Sequence, residues 1–226
     1  MDVEDEIAEW TAAQRRVIEL VSTATDTEAT VPSCPDWTVR DLFSHMVGLG
    51  TDVVAGDEPD DHNQTWTRAQ VTRREGHDIA ELVAEWEATT GPLQRWMRAN
   101  TTRPLGDVIV HEQDLRGALH EPGGQDTAGL RAIRDRFLAG RFVPRLEGLA
   151  PIALVGDDGW TWVSEGRSPD AAAVVLRAPD FDLARALMTR RSAHQLLSWT
   201  ERGDVRPYLQ AFALLGDLPG RDLTES

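Results

Sequence analysis

Two side chains one helical turn apart carry the first chemistry of this sequence: Asp107 and His111, in the run Asp107-Val-Ile-Val-His111-Glu-Gln-Asp114. Residues at i and i+4 share a helix face, so a carboxylate oxygen and an imidazole nitrogen point the same way. A first-row divalent metal takes both ligand types. Two ligands do not hold a metal by themselves. The best third candidate is His45, at the inner end of a second amphipathic segment, where a histidine has no evident solvent-facing role. Plainer uses exist for the same residues. Asp and His at this spacing also form ordinary surface ion pairs, and a histidine on an apolar face is more often a hydrogen-bonded core residue. Asp114, three residues past His111, could accept from an imidazole N–H behind the metal or sit in a surface ion pair. The remaining histidines are weaker candidates. His62 and His77 fall in polar loops, and His120 closes a helix, where a cationic ring complements the dipole. His194 has no carboxylate at ligand spacing.

These side chains must be positioned by helices. Ile7, Trp10, Val17, Leu20 and Val21 predict an amphipathic helix over 3–24. The two prolines in Val31-Pro-Ser-Cys-Pro35 exclude helix there. Thr38 followed by Asp41 approximates a capping box, and the helix it opens runs to about residue 55 with Leu42, Phe43, His45, Met46 and Leu49 on one face. A short helix is expected over 65–74. Asp78 caps the next long one, which Pro92 should kink or break. Pro104 at a first-turn position starts a helix to about residue 120, carrying Asp107 and His111. Four main helices in the first 122 residues predict a four-helix bundle. A connecting helix over about 127–148 then leads to strands at 152–155, 160–163 and 172–176, the first two joined by the turn Asp157-Asp-Gly159, and to helices at 181–189 and 207–215. The fold class is therefore mainly α with a smaller α+β part: a bundle over 1–122 and a small α+β domain over 123–226.

Composition narrows the function. The 226 residues are enough to bury a real core, and 41% hydrophobic with 27% charged residues is ordinary for a globular protein. A net charge of −15 argues against nucleic acid or an anionic membrane as partner. All 23 basic residues are arginines, which reads as codon bias. The single cysteine, Cys34, excludes an internal disulfide and fits a reducing cytoplasm. It reads as structural or incidental. The acidic start does not resemble a signal peptide, and no apolar run nears the roughly 18 residues of a spanning helix. No phosphate-binding loop, dinucleotide fingerprint or nucleophile elbow is present.

Two longer segments carry a resemblance. Cys34-Pro-Asp-Trp-Thr-Val-Arg-Asp-Leu-Phe-Ser-His45 resembles the entry to the second helix of the mycothiol-dependent maleylpyruvate isomerase family, among the DinB-like metal-binding bundles. Gly106-Asp-Val-Ile-Val-His111-Glu-Gln-Asp-Leu-Arg116 resembles that family's fourth-helix motif. Ala186-Leu-Met-Thr-Arg-Arg-Ser192, with Gly203-Asp204, is similar to its appended C-terminal domain. The resemblance implies a DinB-like four-helix bundle with zinc, or another divalent first-row metal, on His45, Asp107 and His111. The better-known members carry Glu at the position of Asp107, whose side chain is one methylene shorter, so the metal must sit nearer the helix.

The resemblance further implies mycothiol as thiol cosubstrate. A metal-bound thiolate would add to a small electrophilic substrate, leaving again in an isomerase and staying in an S-transferase. Arg190 and Arg191 are candidates for binding a carboxylate of the substrate or thiol, a task that suits a guanidinium fork. The rival reading is a non-catalytic metal-binding bundle acting as a sensor or interaction module. The electrophile and the oligomeric state stay open at this level.

Overall fold

The computed structural model describes residues 1–61, 63–166 and 168–225. The fold is mainly α with a smaller α+β part, as the patterning predicts, and the chain divides into two compact units, Met1–Gly124 and Gln125–Thr224.

In the first unit, α1 (Val3–Thr23) begins at a capping box in which the Asp2 side chain accepts from the Asp5 amide and Asp5 returns the bond. Its periodic residues Ile7, Trp10, Val17, Leu20 and Val21 are buried. The proline-bounded stretch after it forms a short antiparallel hairpin of β1 (Thr30–Val31) and β2 (Cys34–Thr38), with Val31 opposite Cys34 and Thr30 opposite Thr38. The expected box at Thr38 and Asp41 opens α2 (Val39–Ala55), which Gly56 ends in the left-handed conformation. There follow α3 (Gln64–Thr72), α4 (Ile79–Ala99), capped by Asp78 and Glu81, and α5 (Pro104–Leu119), with Pro104 in its first turn.

Helices α1 and α2 each pack against both α4 and α5, which closes the four-helix bundle, and α3 lies against α2. Trp86 of α4 receives Trp10 and Phe43 edge-on, at centroid distances of 6.3 and 5.5 Å. Burying a side chain the size of Phe43 is worth roughly 1.5–3 kcal/mol. Pro92 does not break α4. Gly91 precedes it and has no Cβ to meet the proline ring, which removes one of the steric objections to helix there. Helix α5 has an unusual composition for a bundle helix, since Glu112, Gln113 and Asp114 are buried beside its apolar residues. Glu112 is held across the bundle by both guanidinium arms of Arg16, at 2.8 and 2.7 Å.

The second unit starts with α6 (Ala128–Phe137). The expected helix over 127–148 stops being α-helical at Phe137 and continues as a π turn and a 3₁₀ turn around Pro144. The sheet order is β4-β3-β5-β6. The hairpin of β3 (Ile152–Gly156) and β4 (Thr161–Val163) forms as predicted, β5 (Val174–Ala178) runs parallel to β3, and β6 (Thr200–Arg202) pairs antiparallel to β5. The three residues of β6, with none of its positions buried, gave no alternation to read. Asp180, the first residue of α7 (Asp180–Leu187), accepts from the Trp160 amide at 3.2 Å and so ties that helix to the hairpin. Two short helices, α8 (Ala193–Ser198) and α9 (Leu209–Phe212), complete the unit; α9 is shorter than the helix expected over 207–215.

Candidate metal centre

His45 lies in the second turn of α2, fixed by the cap at Thr38, while Asp107 and His111 lie in successive turns of α5. Packing of α2 on α5 brings the three together. Asp107 Oδ1 is 3.5 Å from His45 Nε2 and 3.5 Å from His111 Nε2. One ligand atom from each residue falls within a 4.8 Å group, and the two rings meet edge to face with centroids 5.3 Å apart.

The other ring nitrogens decide what fills that space. Asp52, on α2 two turns after His45, is buried and takes two contacts from Arg73 Nη2, at 2.7 and 2.6 Å. A carboxylate only accepts, so the Gln70 amide must present Nε2 to Asp52, at 2.9 Å. That turns Gln70 Oε1 toward His45 Nδ1, at 2.7 Å, and makes Nδ1 the donor. On the other ring, His111 Nδ1 donates to the fully buried carboxylate of Asp114 at 2.9 Å. In the neutral ring this leaves Nε2 of each histidine as the ligating atom, and both Nε2 atoms face Asp107 Oδ1. Two imidazole nitrogens and a carboxylate oxygen gathered in this way are a donor set that a divalent first-row cation takes. Two bonds of about 2.1 Å at a tetrahedral angle span about 3.4 Å, close to the observed separations. The residues thus fit a divalent ion, and the shorter Asp107 reaches both histidines. Arg103, one turn before Asp107, adds local positive charge; burial pulls its guanidinium below the usual range, and Asp107 opposes that shift.

Residues 8–116 match the family model described as the mycothiol maleylpyruvate isomerase N-terminal domain. The helical unit belongs to this domain family. The match contains His45, Gln70, Asp107, His111 and Asp114. Among solved structures, a crystal structure of the mycothiol-dependent maleylpyruvate isomerase aligns over 89% of this chain and 97% of its own, at 13% identity and a TM-score of 0.55. A crystal structure of a histidine-to-alanine mutant of mycothiol-dependent maleylpyruvate isomerase covers 92% and 96%, at 11% identity and a TM-score of 0.57. At such identity the likeness speaks to the fold. A search among curated proteins gives no match. No helix among the described residues is long and apolar enough to cross a membrane.

Within the isomerase-type domain, sequence reasoning missed Gln70, Asp52 and Trp37. Asp52 was legible, seven residues from His45 and so on the same helix face. Gln70 was not: it is the one buried residue of α3, and nothing in the polar sequence around it marks it. Trp37 packs its ring 5.1 Å from that of His45. Cys34, read as structural or incidental, puts its sulfur in a 4.8 Å group with ligand atoms of His111 and Asp114.

Arg190 and Arg191 lie in the second unit, where both side chains are engaged by groups of the chain itself. Arg191 is 1% exposed, and its Nε and Nη2 hold Asp182 Oδ1 at 2.8 and 2.7 Å while Nη1 donates to the Arg190 carbonyl. The carboxylate it binds is the chain's own. Arg190 is also buried, and its Nη1 donates to the Met188 carbonyl at 3.2 Å. Both side chains brace the turn between α7 and α8. His194 is exposed, with Nδ1 2.8 Å from Asp222 Oδ2. The Ser192 hydroxyl first, and His194 second, hold the Asp222 carboxyl below the usual carboxylate range. His120 is the left-handed residue that ends α5, His77 lies in an exposed turn, and His62 lies outside the described residues.

Proposed function

We propose that this chain is a metal-dependent enzyme that uses a low-molecular-weight thiol, mycothiol, to isomerise or S-conjugate a small electrophile. The observation that carries the reading is the convergence of Asp107 Oδ1 with Nε2 of His45 and of His111, each ring being held through its Nδ1. Membership of the helical unit in the isomerase domain family supports it. A set of three protein ligands is that of a catalytic rather than a structural site, because structural zinc takes four. Zinc, or another divalent first-row ion, held by His45, Asp107 and His111 would supply an open position and lower the pKa of a thiol presented to it.

The chain's own residues do the rest. Gln70 and Asp114 hold the two imidazoles in one tautomer and one orientation. Asp107 contributes the one negative charge among the three ligands, and the Trp37 ring packs beside that of His45. The reaction class is addition of the thiol sulfur to an electrophilic carbon. Reversal after bond rotation gives an isomerised product, and retention gives a conjugate. No cysteine of the chain has to serve as the nucleophile.

The test is incubation of metal-loaded protein with mycothiol and a panel of cis-alkene diacids, epoxides and other small electrophiles. Isomerised or S-conjugated product that requires both metal and thiol is expected. Metal binding with no turnover across the panel would return the chain to a non-catalytic bundle. His111→Ala should lower bound metal by at least tenfold, while His194→Ala should keep full stoichiometry; metal analysis of the purified variants reads both.

A further inference from the structure

The hairpin and α3 of the first unit line an open cavity of about 210 Å³ to which the three metal ligands do not contribute. Cys34, Asp36 and Trp37 line it from the hairpin, and Gln64, Thr67 and Arg68 from α3. Two of these residues connect it to the metal centre. The Trp37 ring lies tilted beside that of His45, and the Cys34 sulfur is within 4.8 Å of ligand atoms of His111 and Asp114. A molecule in the cavity is therefore one side chain away from both histidines.

The lining selects a kind of ligand. It offers a carboxylate, a guanidinium, a primary amide and a hydroxyl around an indole. An anion would face Asp36 in a chain already at −15, and a cation would face Arg68. A neutral molecule rich in hydroxyl and amide groups meets neither penalty. Its hydroxyls donate to Asp36 and accept from Arg68, Gln64 and Thr67 serve as either partner, and an apolar ring face covers the indole.

We propose that this cavity binds the uncharged, hydroxyl-rich part of the thiol cosubstrate, leaving its sulfur to extend past Trp37 toward His45 and His111. The proposal rests on the thiol-dependent reading above. Mycothiol, an acylated cysteine joined by an amide to a glucosaminyl inositol, has that composition.

The probe is S-methylmycothiol, which keeps the polyol and cannot form a thiolate. Titrated calorimetrically into the full chain, it should bind with similar affinity with and without metal. Saturating probe should slow carboxymethylation of Cys34, the only cysteine, by fivefold or more. Arg68→Ala and Asp36→Asn, both at exposed positions, should each weaken the probe by about tenfold, as loss of one charged hydrogen bond does, with metal stoichiometry retained. Unaltered affinity in both variants, absence of Cys34 protection at saturation, or no binding to the wild-type chain overturns the assignment. If one of these occurs while metal- and thiol-dependent turnover persists, only the cavity assignment falls. If protection and the variant effects hold but no electrophile is converted, the catalytic reading falls and the cavity stands.

Discussion

His45 is aimed by a relay of side chains: Arg73 holds Asp52, Asp52 takes the amide nitrogen of Gln70, and Gln70 takes the proton on Nδ1. Gln70→Leu removes the acceptor while keeping a similar volume, so Nδ1 loses its partner and the ring its fixed tautomer. Metal affinity should fall by roughly 10–100-fold, as for other groups that orient metal-bound histidines. Gln70→Glu keeps an acceptor for Nδ1 but sets a second carboxylate against Asp52, 2.9 Å away, so it should not restore the affinity. Competition against a chromophoric chelator measures both, and a Gln70→Leu affinity equal to wild type would mean the relay has no bearing on the centre. At this scale the sequence was partly legible. Asp107 and His111 are paired by helix periodicity, and Asp114 follows from the same face. Gln70 could not be read, since its partner lies 25 positions away.

The elements set how near that relay comes. Gly48, one turn after His45 on α2, sits where a Cβ would be 2.6 Å from the Cβ of Gln70 and 2.8 Å from Arg74 Nη1. The close approach of α3 depends on that missing methyl. Gly48→Ala gains about 0.5–1 kcal/mol in helix propensity. Forcing α3 outward costs about 1–3 kcal/mol, as overpacking does, so the steric term should win. Urea unfolding should show a net loss of stability, and metal affinity should fall with it because Gln70 is carried away from His45. A variant that is more stable and binds metal as tightly as wild type would refute this packing account. Helix positions and caps were legible: Asp2, Thr38 and Asp78 each begin a helix through a hydrogen-bonded box. Pro92 misled: α4 runs through it at the cost of one amide hydrogen bond, and Gly91 removes the further clash that a Cβ before the proline would add.

On the scale of the molecule, a ligand that binds only the folded state raises its stability by mass action. Free metal at 100 times its dissociation constant adds about 2.7 kcal/mol, which for a unit of this size raises Tm by on the order of 10 °C. Differential scanning fluorimetry of metal-loaded and chelator-treated protein should show that shift, and His45→Ala should abolish it. Equal melting temperatures with and without metal would show that the three ligands do not hold an ion strongly enough to matter for folding. The charge of −15 carries no information about this site, whose three ligands contribute a single carboxylate.

The sequence by itself determined what neighbours in the chain can determine: the helices, their caps, the hairpin in the second unit, and the shared face of Asp107 and His111. These depend on interactions over three or four residues, which periodicity records. Tertiary structure alone decided that His45 meets that face, that Gln70 fixes the tautomer of His45, that the carboxylate held by Arg191 is Asp182, and that Cys34 and Trp37 wall a cavity beside the centre. Each of those depends on packing between elements distant in sequence, and no local pattern encodes such a distance.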